Sequence, residues 1–149
     1  MGSRRIHRPS DGVPRALEIM GERWTMLILR ESFHGTRRFD DFRHNLGIAT
    51  NILTARLQKL VRHGLLQRFP DPGDGRRFDY RLTDKGRDLF PAIVALMQWG
   101  ERWLPSTNGD HGMRLVAKSD GAPIDHLTVR SERGEELSVR DVMWVTPQP

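Results

Sequence analysis

Apolar residues recur along this chain at helical spacing as far as Gly64, where the period changes. "VPRALEIMG" puts Val13, Ala16, Leu17 and Met20 on one face, a short amphipathic helix that Gly21 ends. "RWTMLILRESFHG" has a nearly continuous apolar centre (Trp24, Met26, Leu27, Ile28, Leu29) and predicts a second, central helix closed by Gly35. "TRRFDDFRHNLG" carries Phe39, Phe42 and Leu46 at i, i+3 and i+7, a third short helix closed by Gly47. "TNILTARLQKLVRHG" is a fourth, with Leu53, Leu57, Leu60 and Val61 inward and Gly64 as its C-terminal stop.

After Gly64, "LLQRF" and "RRFDYRL" read as strands around "PDPGDG", a dense cluster of turn formers. The pattern predicts a β-hairpin with a long, mobile, Gly-rich tip. Thr83 offers an N-cap for "DKGRDLFPAIVALMQWGERWL", the longest helical pattern of the chain, which Pro91 should kink. Its apolar residues lie in two stripes, one of Phe90, Ile93, Val94, Met97 and Leu104, the other of Leu89, Leu96, Trp99 and Trp103. One stripe suffices for the surface helix of a monomer. Two predict a helix clasped by its own domain and by something else, with Leu89, Phe90, Ile93, Leu96, Met97, Trp99 and Trp103 as the interface candidates.

Three segments follow from this pattern. Residues 1–12, with the polar run "RRIHRPSDG", form a flexible arm, and residues 13–104 form the helical body with its hairpin. Residues 105–149 read as a β-rich extension, with strands around "MRLVAK", "LTVR" and "DVMWV" and turns at "SDGAP" and "ERGEE".

Composition narrows the class. At 149 residues, 29% charged and 37% hydrophobic, the chain reads as one soluble globular domain of ordinary size. No apolar run approaches the ~18 residues of a membrane span, and no signal peptide precedes the first helix, so the cytoplasm is the expected location. The absence of cysteine excludes disulfides, thiolate chemistry and zinc–thiolate sites.

The net charge of +5 is unevenly placed. Residues 1–104 hold 19 Lys and Arg against 12 Asp and Glu, a net of +7; residues 105–149 hold 5 against 7, a net of −2. Moreover, no Asp or Glu occurs between Asp41 and Asp71, the stretch that contains the fourth helix with Arg56, Lys59 and Arg62. A basic body with an acid-free amphipathic helix suits a polyanionic partner.

Three short helices, a basic helix, a hairpin and a long helix, in that order, make a winged helix-turn-helix. The expected fold class is mainly α with a small β-hairpin wing, plus a short β-rich C-terminal extension. "GERWTMLILR", "RRFDDF", "LTARLQKLVRHGLLQR" and "YRLTDKG", in this order and spacing, resemble the HxlR family of bacterial transcriptional regulators, relatives of MarR. The resemblance covers about residues 13–104. It implies a dimeric regulator that binds double-stranded DNA and whose long helix joins the protomers.

In a major groove, every carboxylate on or near the fourth helix would repel phosphate. With its leucines inward, a turn of 100° per residue faces Asn51, Ala55, Gln58 and Arg62 outward, with Thr54 and Lys59 on the flanks. Asn and Gln can pair bidentately with adenine, and Thr can meet a base or the thymine methyl. Arg56 lies to one side, towards phosphate. Arg37 and Arg38 open the third helix, where its N-terminus would favour phosphate. Arg23 starts the second helix, where the family usually has Lys. Arg76 and Arg77 leave the wing tip, within reach of a minor groove or backbone; Asp71 and Asp74 there suit a tight turn but oppose phosphate. The bland reading of each cation is a solvated surface charge.

Two departures from the family stand out. Its recognition helix commonly opens with Ser-Pro, where this chain has Ala49-Thr50; Ala cannot cap a helix, so Thr50 is expected as N-cap. Members usually carry a cysteine before the first helix, and here "SDGVP" has none. Some relatives with a similar extension have a CxxC pair that suggests a zinc knuckle. Here Arg130 and Arg133 stand in those positions, so no metal or other cofactor is expected.

The six histidines (His7, His34, His44, His63, His111, His126) show no metal spacing, "GDG" at 73–75 is a turn, and no catalytic grouping is evident, so an enzyme is not expected. Trp24, Met97 and Trp99 could line a pocket for a small-molecule effector, or serve as core and dimer packing. The reading that accounts for most of the pattern is a homodimeric repressor on a pseudo-palindromic operator. Its alternative is a winged-helix protein–protein adaptor without DNA binding.

Overall fold

The computed structural model describes residues 11–104, 106 and 112–146. The expected arm lies outside these residues except for Asp11 and Gly12, which begin the first helix. In chain order the elements are α1 (Gly12–Met20), α2 (Arg23–Phe33), α3 (Phe39–Leu46), α4 (Thr50–Arg62), β1 (Leu66–Asp71), β2 (Asp74–Leu82), α5 (Asp84–Arg87), α6 (Phe90–Trp103), β3 (Val129–Arg130) and β4 (Glu136–Leu137). The described residues divide into two compact units between Phe90 and Pro91.

In the first unit, the inward leucines of α4 join Ile28 and Leu29 of α2, Phe42 of α3, and Ile48, Leu65 and Leu66, all buried. Each of these helices ends where its glycine permits the turn. Gly47 and Gly64 take φ of +61° and +74°, a region closed to most side chains. Two polar residues are buried with this core, Thr25 and Glu31; Glu31 accepts hydrogen bonds from Thr36 Oγ1 (3.0 Å) and Asn45 Nδ2 (3.1 Å). It thereby ties α2 to the loop before α3 and to α3 itself. Burial alone would raise the Glu31 pKa, but the bonds from Asn45, Thr36 and Arg30 outweigh it and lower it.

The wing is an antiparallel pair running from Leu66↔Leu82 to Asp71↔Asp74, with a register shift after Pro70. Its tip is shorter than "PDPGDG" suggests. Only Pro72 and Gly73 lie outside the strands, because Asp71 Oδ1 accepts from Gly73 N (2.8 Å) and Asp74 Oδ1 from Arg76 N (3.0 Å). These short side chains close the turn locally and leave the flanking residues free to pair. Arg68 stacks on Phe78 (4.2 Å) and Arg81 on Phe69 (4.9 Å), so diagonal cation–π pairs zip both faces. Beyond β2, Arg38 bridges Asp79, and Tyr80 N donates to Arg37 O (2.7 Å). The segment before α3 thus adds one antiparallel bridge at the outer edge of β2.

The long helical pattern is broken rather than kinked. Thr83 caps α5 as expected, accepting from Gly86 N (3.1 Å), but α5 stops after one turn and α6 starts at Phe90. The cause is Pro91, which has no N–H for the Arg87 carbonyl and whose ring crowds it. In the first turn of a new helix proline costs little. Instead of continuing, α5 docks on the end of α4. Lys85 Nζ donates to His63 O (2.7 Å) and Thr83 Oγ1 to Gly64 O, satisfying carbonyls that the helix end leaves open.

In the second unit, α6 buries Val94 and leaves Leu96, Trp99 and Trp103 exposed. Gln98 clasps the extension with its amide, donating to Asp125 O (3.0 Å) and accepting from Leu127 N (2.8 Å). The extension itself contains less β-structure than its alternation suggests. Val116 makes a single bridge to Pro123 around the "SDGAP" turn, only Val129–Arg130 of "LTVR" is strand, and "DVMWV" forms none. Val116, Val129, Met143 and Trp144 are all exposed; without a covering layer, alternation does not enforce a sheet.

Candidate nucleic-acid interface

The helix α4 presents the face its periodicity predicts. Leu53, Leu57 and Leu60 are buried, while Thr50, Asn51, Thr54, Ala55, Gln58 and Arg62 are exposed. Thr50 is not the cap. Ala49, in extended conformation, holds that position without a side-chain bond, and Thr50 is the first helical residue. Buried Ile48 fixes where the chain enters the helix, and a threonine inside the first turn has no reason to fold back. Thr50 is exposed, and Thr54 Oγ1 donates to its carbonyl (2.8 Å).

One flank of α4 is tied to the preceding helices. Arg56 Nε donates to Glu22 Oε2 (2.7 Å), and Lys59 Nζ to the Glu18 carbonyl (2.8 Å). Glu22 is also the N-cap of α2, accepting from Trp24 N and from Thr25 N and Oγ1, each at 3.1 Å. Partial burial would raise the Glu22 pKa, but the Arg56 bond, followed by those from Trp24 and Thr25, brings it from 4.5 to about 2. Glu22 is therefore ionised throughout the neutral range. Arg23, exposed beside it, lies over the Trp24 ring at 5.0 Å.

The wing supplies the second group of cations. Arg37, Arg76 and Arg77 are exposed. Arg77 lies 3.6 Å from Asp74, whereas no ion pair to Arg76 occurs among the described residues. Arg38 is drawn the other way, its guanidinium meeting Asp71 (3.2 Å) and Asp79 (3.8 Å), so it holds the wing to the start of α3. A cleft of about 450 Å³ lies between these elements, lined by Arg38, Phe39, Asp40, Asp41, Arg76, Arg77, Phe78 and Tyr80. The acids of the wing tip are thus absorbed by Arg38 and Arg77, which the sequence did not reveal.

The expected α6 contacts separate into two groups. Leu89, Ile93 and Met97 are half-buried, and Phe90 meets Phe33 at 5.2 Å between ring centroids. Leu96, Trp99 and Trp103 are more than half exposed and form the accessible apolar stripe.

In the extension, the turn that carries Arg130 and Arg133 is closed by hydrogen bonds, Glu135 N to Ser131 Oγ (3.2 Å) and Arg130 Nη1 to Gly134 O (3.0 Å). Among the described residues there is no group of three or more His, Cys, Asp or Glu able to hold a metal. No helix among them is long and apolar enough to cross a membrane.

Comparison with known proteins places this geometry. The chain is 48% identical over 139 residues to an uncharacterized HTH-type transcriptional regulator of Mycobacterium tuberculosis (strain ATCC 25618 / H37Rv), covering 93% of this chain and 85% of that one. Among solved structures it is similar to PA1607, described as a transcription factor, with a TM-score of 0.85 and 42% identity over 94% of this chain and 97% of that one. It is also similar to PA1374 from Pseudomonas aeruginosa, described likewise, with a TM-score of 0.63 and 35% identity over 93% of both chains. The HxlR-like helix-turn-helix family model matches residues 19–108; with its winged fold and exposed basic α4, the chain belongs to this family and is a DNA-binding transcriptional regulator.

Proposed function

We propose that two copies of this chain bind a pseudo-palindromic operator and act in the cytoplasm as a repressor, each copy laying α4 in one major groove. The observation that carries this reading is the outer face of α4, exposed and without a carboxylate of its own, over a fully buried leucine face. Asn51 and Gln58 read base edges, with Thr50, Thr54 and Ala55 beside them. Arg56, Lys59 and Arg62 hold the groove walls, and Arg23 and Arg37 extend the phosphate contacts. Arg76 and Arg77 reach the neighbouring minor groove or backbone. Arg38 acts indirectly, by fixing the wing.

Residues 13–104 form the DNA-binding and dimerisation segment, residues 105–149 an appendage. The stripe of Leu96, Trp99 and Trp103 supports a two-fold contact between copies, and a two-fold dimer places its half-sites about one helical turn, ~34 Å, apart. Without cysteine, switching runs through a small non-covalent ligand that favours one spacing of the two reading heads.

The test separates reading from holding. Gln58→Ala should lose roughly 1–3 kcal/mol of discrimination at one base pair while keeping affinity for random duplex. Arg77→Ala should weaken binding to all sequences and shallow the salt slope by about one unit. Equal weakening of specific and random DNA by Gln58→Ala would refute this assignment of the outward face.

A further inference from the structure

The longest acid-free stretch of the sequence is not acid-free in space. Folding brings Glu22, from the start of α2, against Arg56 of the recognition helix, 34 residues away. A permanent carboxylate beside a helix meant for a polyanion is unfavourable on Coulomb grounds alone. The geometry says what it does there.

A guanidinium is a planar fork with donors on two edges. Glu22 takes the Nε, while no hydrogen bond from the two terminal nitrogens of Arg56 occurs among the described residues. Anchoring one edge fixes the plane of the group and removes much of the rotamer freedom that an arginine would otherwise lose on binding. Arg56 is 31% exposed, next to Ala55 on the outer face, and so stands where that face turns towards the groove wall. Glu22 is itself held in place, its two oxygens accepting from the backbone N–H groups of Trp24 and Thr25 and from Thr25 Oγ1. Lys59, held by the Glu18 carbonyl, lies on the same flank.

We propose that Glu22 is a positioning residue for DNA binding, holding Arg56 so that its free edge meets a backbone phosphate. This rests on the reading of α4 as the groove helix. Glu22 touches no DNA; it makes the contact of Arg56 rigid, as a buttress set between α2 and α4. The acid therefore strengthens the binding of an anion.

Conservative variants separate this role from helix capping and from simple charge. Glu22→Asp keeps the charge and a good N-cap but is one methylene short of Arg56. Glu22→Gln removes the charge. Arg56→Ala removes the contact itself. Binding to an end-labelled random-sequence duplex, followed by fluorescence anisotropy over a range of salt, reads phosphate contacts without knowledge of the operator. Arg56→Ala should weaken binding about tenfold, the scale of one charged hydrogen bond, and shallow the salt slope by about one unit.

Glu22→Asp should reproduce most of that loss, and add nothing in the Arg56→Ala background, while its melting temperature stays near that of wild type. Glu22→Gln should also weaken binding, opposite in sign to the removal of a repelling charge. Wild-type affinity in Glu22→Asp, or tighter binding in Glu22→Gln, would overturn the proposal and reduce Glu22 to a cap. If Arg62→Ala and Arg77→Ala also left binding unchanged, the reading of α4 would itself fail, a distinguishable result.

Discussion

Glu22 serves two helices with two oxygens, and the chemistry of one residue sets a pH dependence. Its folded pKa of about 2 lies below the ordinary 4.5, so the folded state binds this proton less readily than the unfolded chain. The stability it contributes is complete above about pH 4.5 and is lost as the pH falls towards about 2. The difference in melting temperature between wild type and Glu22→Gln should therefore be constant near neutrality and shrink through that acid window. A difference that persisted undiminished at the acid end would mean that the charge plays no part. The same residue shows why the acid-free stretch was informative but incomplete. The sequence counts charges along the chain, whereas phosphate meets them in space.

At the scale of elements, α5 decides how the wing is attached to the body. It is a single turn, too short to be stable alone, and it persists because Thr83 and Lys85 bond the open carbonyls at the end of α4. Gly86 allows that approach: a Cβ there would collide with the Leu65 carbonyl. Gly86→Ala should accordingly destabilise the fold by about 1–3 kcal/mol, the usual cost of overpacking, although alanine is the better helix former. Urea unfolding followed by circular dichroism checks this, and a neutral or stabilised variant would show that the backbone shifts freely. The four helices before the wing were legible because each couples an apolar face, or in α2 an apolar centre, to a terminal glycine. The break before α6 was not, since proline in a helical pattern allows a kink or a new start, and only the docking of α5 selects between them.

At the scale of the whole molecule, the stripe on α6 is the largest unused apolar feature of that helix. Leu96, Trp99 and Trp103 are 55%, 55% and 61% exposed, and a helix rarely offers water such residues together. If this stripe is the two-fold contact, sedimentation should give a dimer at micromolar concentration and Trp103→Glu a monomer. Burying an unpaired charge at such a contact costs several kcal/mol, about 3–5 when a pair is broken. The variant should then bind single half-sites with unchanged base preference but much reduced overall affinity. A wild-type monomer, or a Trp103→Glu dimer of undiminished strength, would remove α6 from the interface.

The sequence alone determined the order of elements from α1 to the wing, the buried face of α4 and the residues opposite it, because helical periodicity and glycine stops act over a few neighbouring residues. It also determined that no cysteine chemistry is available to these 149 residues. Tertiary structure decided the rest through contacts between residues distant in the chain. Asp71 and Asp79 draw Arg38 into the wing, Glu22 fixes Arg56, and Thr83 and Lys85 complete the end of α4. An arginine's position on a helix is written in its spacing; the partner that orients it is chosen only when the helices pack.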